Sequence, residues 1–214
     1  MMKLASVLSV TMVAVLGSFA GGQALAQEYD VVILNGRVMD PETMYDAVAN
    51  VGVKDGRIAV ITKDKITGKQ TLDATGHVVA PGFIDTHFHW QSALGYKIGL
   101  RDGLTSSMDI EEGCAGTTLG AWYEERIGKT AVNFGCASSH ELARAIVLDG
   151  ATKDDVSQGP LSALKTRQAT GWSSAQPTLE QGNDILKIID KGLQDGGIGI
   201  GSTLGYMRDA VSTR

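Results

Sequence analysis

Between residues 27 and 80 the apolar positions fall into short runs that are separated by turn-forming residues. The runs at 31–34 and 48–53 have the length and the β-branched composition of strands. The pair Asn35-Gly36, directly after the first run, is a strong signal for a tight hairpin turn. We therefore expect a meander of short strands that forms a small β domain over residues 27–80.

From Pro81 onward the pattern changes to an alternation of strands and helices, which is typical of a parallel sheet. Residues 81–214 are about half of the roughly 250 that a (β/α)8 barrel needs. The fold class predicted is therefore α/β, with barrel strands 1–4 in this part of the chain. We expect strands at 83–87, 104–111, 131–137 and 198–201, helices at 119–127, 138–148 and 178–196, and an irregular loop or insertion at 151–176.

The first 26 residues have the composition of a secretory signal peptide. A basic start at Lys3 precedes the apolar residues 4–19, and Ala24-Leu25-Ala26 matches a cleavage site. The apolar stretch is short for a transmembrane helix, which needs about 20 residues. We therefore expect an exported protein, periplasmic or secreted, that begins at Gln27 and is not held in the membrane after cleavage.

The composition argues against one class of binding partner, nucleic acid. It does not decide whether the two cysteines form a disulfide. The formal net charge is −5 and the basic residues form no cluster, so we expect no nucleic-acid partner. The chain contains Cys114 and Cys136. In an exported protein the two could pair, but their positions in or beside predicted strands are equally compatible with buried free thiols.

The most informative stretch is Pro81-Gly82-Phe83-Ile84-Asp85-Thr86-His87-Phe88-His89. Because side chains alternate along a strand, His87 and His89 point to the same side. The pair follows an apolar run and so lies at its C-terminal end, which in a barrel faces the active site. Two imidazoles at this spacing can bind one metal ion, and we predict that both are metal ligands.

This stretch, together with the preceding meander, resembles the metal-binding first strand and the small β domain of the amidohydrolase superfamily. Residues 102–111, 139–144 and 197–206 resemble the second strand, a G-H-x-x-x-R segment and the fourth strand of the D-aminoacylase branch, the N-acyl-D-amino-acid deacylases. The resemblance spans about residues 29–206. It implies a metal-dependent (β/α)8 barrel with a small β-sandwich-type domain, of which this chain would hold the N-terminal half.

The resemblance also implies a metal ligand on the second barrel strand, where the matching residue is Glu111. Alternation places Glu111 and Asp109 on one face of that strand and Glu112 on the other. Glu112, Asp109 and Cys114 remain alternatives for the ligand. The expected cofactor is zinc, as one or two ions, held by the two histidines and this acid.

Four further residues are expected on the substrate side. His140 opens a predicted helix, where the helix dipole favours a neutral imidazole and the N–H groups can hold an anion. The resemblance suggests that His140 contacts the carbonyl or the carboxylate of the substrate. Arg144, one turn later on the same face, is a candidate carboxylate partner, with an ordinary surface residue as the alternative. Ser202 and Tyr206 lie on the loop after the fourth strand and are expected to line the pocket.

The implied activity is metal-assisted hydrolysis of an amide bond, with a small N-acyl-D-amino acid as the substrate. No histidine follows His140, and the family's proton-shuttling aspartate is expected beyond Arg214. We therefore expect a truncated barrel that is inactive alone and whose open strand edges allow self-association. A non-catalytic exported protein and a dihydroorotase-like hydrolase of cyclic amides are the alternatives.

Overall fold

The computed structural model describes residues 29–208 and divides the chain into two compact units on either side of the Ala80-Pro81 bond. The predicted signal peptide, residues 1–26, lies outside the described residues. Within residues 29–208, the helices are all too short or too polar to cross a bilayer.

The first unit is a five-stranded sheet in which β1 occupies the centre. The strands are β1 (Tyr29–Asp40), β2 (Tyr45–Lys54), β3 (Arg57–Thr62), β4 (Gly68–Asp73) and β5 (Val78–Val79). Their order is β3-β2-β1-β4, and β5 pairs with the second half of β1. The antiparallel pairs β1–β2 and β2–β3 form the expected meander, whereas β4 and β5 run parallel to β1. Val38, Ala49 and Val51 are its buried cluster.

The hairpin predicted at Asn35-Gly36 is wrong, because β1 continues through this pair without reversing. The register with β2 shifts between Ile33 and Gly36, which marks a β-bulge. Asn35 adopts a left-handed conformation with φ of 63°, and its backbone N–H donates to Oδ1 of Asn50 at 2.9 Å. Asparagine tolerates this conformation in a bulge as well as in a turn, so the dipeptide alone does not distinguish the two.

The second unit contains four parallel strands in the order β6-β7-β8-β9, as the sequence predicts. Helices lie between successive strands, which confirms the α/β class and the βα repeat of a barrel. The sheet does not close on itself within residues 29–208. The elements are β6 (Phe83–Asp85), α1 (Ala93–Arg101), β7 (Leu104–Cys114), α2 (Leu119–Glu124), β8 (Asn133–Ser139), α3 (His140–Asp149), α4 (Ala163–Thr166), α5 (Gly171–Ser174), α6 (Leu179–Gln194) and β9 (Ile200–Gly201).

Side-chain caps fix where the helices of this unit begin. The hydroxyl of Ser139 accepts from the backbone N–H of Leu142, so α3 starts directly at the end of β8. Thr178 and Gln181 form a complete capping box at the start of α6. Helix α1 was not expected from its weak apolar periodicity, although Ser92 caps it in the same way.

Residues 151–176, expected as an irregular loop, instead form a compact group of short helices. A 3-10 helix (Gly159–Ser162) leads into α4, and α5 follows. The carboxylate of Asp149, at the end of α3, accepts the backbone N–H groups of Gly171 and Trp172, each at 2.8 Å. Helices of four residues are too short to show an apolar period, so the sequence pattern did not indicate them.

The two cysteines are joined as a disulfide between Cys114 at the end of β7 and Cys136 in β8. Both are fully buried and pack with Leu119 and Trp122 of α2. Of the two states that the sequence left open, the structure therefore shows the paired one. The bond ties together the two strands on which the candidate site is built.

Candidate metal centre

The two histidines of the motif are held just beyond the end of β6. The carboxylate of Asp85 accepts the backbone N–H of His87 at 2.9 Å, which forms a turn at the strand end. The backbone N–H of Phe88 donates to the carbonyl of Met108 at 2.9 Å, so the chain stays alongside β7. The strand therefore ends two residues earlier than predicted, but both imidazoles still project from its C-terminal end.

The structure brings His87, His89 and Glu111 together at ligand distances. Nε2 of His87 lies 3.1 Å from Nε2 of His89, and Oε2 of Glu111 lies 3.0 Å and 3.3 Å from these two atoms. Two ligands that are each about 2.0 Å from a tetrahedral zinc ion lie about 3.3 Å apart, so the spacing and the donor set fit zinc. The His87 side chain is 62% exposed, which leaves the cluster open on one side.

Asp109 contacts the His89 ring on the side that faces away from the cluster. Its side chain is fully buried, and Oδ2 accepts from Nδ1 of His89 at 2.6 Å. Oδ1 accepts the backbone N–H groups of Glu112 and Gly113 at 2.9 Å and 3.0 Å. A carboxylate on Nδ1 keeps the proton there and leaves the lone pair of Nε2 free to bind a metal, which is the usual second layer of a histidine metal site.

None of the alternatives for the second-strand ligand belongs to this three-residue cluster. Glu112 points into the protein and accepts from Nη2 of Arg167 at 2.6 Å. Burial, together with the nearby carboxylate of Glu141, raises the pKa of Glu112 to about 9. Cys114 is engaged in the disulfide, and Asp109 contacts His89 on the nitrogen that faces away from the cluster. Among the candidates that the sequence left open, only Glu111 points to both Nε2 atoms.

His140 lies at the start of α3, half-buried, with Nδ1 3.1 Å from the hydroxyl oxygen of Ser202. Burial, reinforced by the positive charge of Arg144, lowers the pKa of His140, which keeps the imidazole neutral at pH 7. His140 and Arg144 line a cavity of about 410 Å³ between α3 and the start of α6. This cavity does not include the three ligand candidates, so the predicted site residues fall into two groups.

The structure excludes one of the two expectations for Arg144, that of an ordinary surface residue. Its side chain is fully buried, and its guanidinium donates to the backbone carbonyls of Trp172 and Ala175. The helix face that carries Arg144 is covered by residues 151–176, which the sequence did not predict to fold. The structure therefore shows Arg144 as a tie between α3 and this segment rather than as a free cation.

A smaller cavity of about 180 Å³ opens beside the cluster and is lined by His89 and Glu111. Tyr206 also lines it, and the centre of its ring lies 4.3 Å from the guanidinium carbon of Arg167. The sequence reasoning missed Arg167, because a lone arginine in a polar segment gives no signal of its own. Glu112 and Arg167 also line this cavity, and the rest of its wall is mainly apolar, formed by Trp90, Pro160, Leu161, Ala163 and Leu164.

Comparison with known proteins finds similar proteins both by sequence and by structure. No family model matches it. A dihydroorotase from Streptococcus pneumoniae is 40% identical over 94 residues, which is 43% of this chain and 20% of that protein. A zinc-bound N-acyl-D-glutamate deacylase from Bordetella bronchiseptica, in complex with a phosphonate inhibitor, has a TM-score of 0.60 at 22% identity over 86% of this chain and 40% of that one. A D-aminoacylase has a TM-score of 0.61 at 21% identity, with coverage of 83% and 40%.

These likenesses confirm the resemblance to the amidohydrolases that the motifs indicated, as well as the fold. The chain spans about a fifth of the length of the dihydroorotase and two fifths of the length of the deacylase. At 21–22% identity the structural likeness concerns the fold alone.

Proposed function

We propose that this chain carries the metal-binding part of a zinc-dependent hydrolase of non-peptide C–N bonds. The observation that carries the proposal is the convergence of His87, His89 and Glu111 with ligand atoms 3.0–3.3 Å apart. A zinc ion held there would polarise a carbonyl group and activate a water molecule for attack. The proposed activity refers to a complete barrel, of which this chain provides four strands.

In the proposed site, some residues would bind the metal ion and others would orient the residues that bind it. The two Nε2 atoms and the Glu111 carboxylate would bind the ion, and Asp109 would hold His89 in the tautomer that binds it. The exposed side of His87 leaves room for a small ligand to approach. The apolar wall formed by Leu161 and Leu164 would exclude water from one side of the ligand.

As the substrate we propose an N-acyl-D-amino acid. The likeness to the two deacylase structures extends over 83–86% of this chain, and this supports the proposal. A second candidate is the amide bond of a cyclic substrate, because the dihydroorotase is the more similar protein in sequence over its 94 matched residues. Both reactions cleave a C–N bond and would use the same ligands.

The metal part of the proposal is tested by equilibrium dialysis of the purified chain against zinc, with His87→Ala as the paired variant. The wild type should retain a stoichiometric amount of zinc, and His87→Ala should lose most of it because a three-ligand site becomes a two-ligand site. A wild type that retains no zinc, or equal retention by both proteins, would contradict the site.

The substrate is tested with the complete barrel to which the proposed activity refers. N-acetyl-D-amino acids, their L enantiomers and dihydroorotate are compared at equal concentration, and release of free amine or ring opening is measured. We expect preferential cleavage of the D-amino-acid derivatives, abolished by His87→Ala. Cleavage of dihydroorotate alone would favour the second candidate, and cleavage that survives His87→Ala would contradict both.

We also propose that the chain is exported, on the basis of its first 26 residues. In a bacterial host, the protein recovered outside the cytoplasm should have the mass of a chain that begins at Gln27. A product that keeps residues 1–26 and stays in the cytoplasm would contradict export.

A further inference from the structure

Arg167 is the cation of a largely buried cluster beside the candidate metal centre. Its Nη2 donates to Oε2 of Glu112 at 2.6 Å. Its Nε and Nη2 donate to the two carboxylate oxygens of Glu141 at 2.8 Å and 2.9 Å. The Glu112 and Glu141 side chains are only 4% and 0% exposed, so both rely on partners inside the protein.

Within residues 29–208, Arg167 is the one basic side chain that lies within 4.0 Å of the carboxyl oxygens of these two acids. Glu141 also accepts from the hydroxyl of Thr203, whereas within residues 29–208 Arg167 is the one side chain that donates a hydrogen bond to the carboxylate of Glu112. The guanidinium is itself fixed, because it packs on the ring of Tyr206 at 4.3 Å. The 151–176 segment therefore supplies a rigid anchor for the side chain of Glu112.

Glu112 is connected to the metal centre through its backbone. It directly follows Glu111, and its N–H donates at 2.9 Å to Oδ1 of Asp109. The other oxygen of Asp109 accepts from Nδ1 of His89 at 2.6 Å. Hydrogen bonds therefore connect Arg167 with Glu112, Glu112 with Asp109, and Asp109 with His89. A shift of Glu112 would move the Glu111 carboxylate and the His89 ring together.

We propose that Arg167 is a positioning residue of the metal centre, which holds the end of β7 in the geometry that lets Glu111 and His89 bind one ion. The inference rests on the proposed metal centre and adds a function for residues 151–176. It assigns no contact between Arg167 and the ion itself.

The test measures zinc dissociation constants by competition with a chromophoric chelator. Arg167→Met removes the guanidinium but keeps most of the length of the side chain, and we expect binding about tenfold weaker or more, as for other outer partners of metal ligands. Lys165→Met is the matched control, since this neighbouring lysine pairs only with Asp155 at the surface, and it should bind like the wild type. Arg167→Lys keeps the charge and one donor group and should lie between the two.

A double-mutant cycle separates positioning from a general loss of stability. Glu112→Ala breaks the same link from the other side, so the double variant Arg167→Met/Glu112→Ala should bind zinc no more weakly than the weaker single variant. Leu142→Ala, a destabilised variant in which this link is intact, should keep the wild-type dissociation constant. Bound Co²⁺ should show altered visible bands in Arg167→Met and wild-type bands in Leu142→Ala.

Three outcomes would contradict the inference. Wild-type zinc binding by both Arg167→Met and Arg167→Lys would show that the anchor is not needed. Additive losses in the cycle would show that Arg167 and Glu112 act separately. If the wild type itself bound no zinc, that result would contradict both the proposed metal centre and the inference. The first two outcomes contradict the inference but not the metal centre.

Discussion

Replacing Asp109 by asparagine should weaken zinc binding by changing which nitrogen of His89 carries the proton. Asp109 accepts from Nδ1 of His89 with one oxygen and from two backbone N–H groups with the other. An asparagine that keeps its oxygen on the backbone groups must turn its NH2 group toward His89. Nδ1 would then have to accept, the proton would move to Nε2, and that atom would lose the lone pair that faces Glu111.

The magnitude follows from the geometry of this buried contact. Loss of an outer carboxylate partner costs about 10–100-fold in metal affinity, which corresponds to about 1.4–2.7 kcal/mol. In the opposite orientation, the NH2 group of the asparagine would face the N–H groups of Glu112 and Gly113, and donors would oppose donors. This orientation therefore does not avoid the loss of affinity. Because both orientations lose a buried contact, we expect the upper part of this range, about 100-fold.

Zinc affinity is measured by chelator competition, and folding is checked by near-UV circular dichroism and thermal unfolding. Asp184→Asn is the matched control, since it makes the same charge change at an exposed position on α6. It should leave the dissociation constant unchanged. An Asp109→Asn protein that is folded and binds zinc within about twofold of the wild type would refute the reasoning about the tautomer.

Three further predictions concern stability. Because the pKa of Glu112 is raised from 4.5 to about 9, the folded protein keeps a proton that the unfolded chain releases. The stabilisation from this group is complete below pH 4.5 and is lost as the pH rises toward 9, by at most about 1.4 kcal/mol per pH unit. Chemical denaturation at several pH values should show that Glu112→Gln makes the free energy of unfolding depend less on pH. Leu142→Ala should lower the free energy of unfolding by about 2–5 kcal/mol because Leu142 is fully buried, whereas Leu186→Ala at a 62% exposed position should change it by less than about 0.5 kcal/mol. Thr178→Ala removes the capping box of α6 and should cost about 1 kcal/mol, and equal unfolding midpoints for this variant and the wild type would contradict that role.

The elements that could be predicted from the sequence are those with a long period or a side-chain cap. Helix α6, for example, combines a capping box with an apolar face. The pair of histidines could be predicted because one local stretch contains both of them and the strand that carries them. Their meeting with Glu111 followed only from the resemblance, since the two segments are far apart in sequence.

What could not be predicted depends on contacts between distant segments. The short helices of residues 151–176 are held by Asp149 and Arg144, whose partners are backbone groups that leave no trace in a sequence pattern. For the same reason Arg144 could be read as a free cation, although it is buried. The role of Arg167 depends on two acids that lie 55 and 26 residues away along the chain.

The central claim is that the chain binds zinc through two imidazoles and one carboxylate, without sulfur. X-ray absorption spectroscopy of the zinc-loaded chain tests it most directly, because nitrogen or oxygen ligands lie at about 2.0 Å and sulfur ligands at about 2.3 Å. We predict a shell of nitrogen and oxygen atoms only, with the outer-shell scattering of two imidazole rings, which disappears in part in His87→Ala. A sulfur shell, or a spectrum without imidazole scattering, would contradict the account.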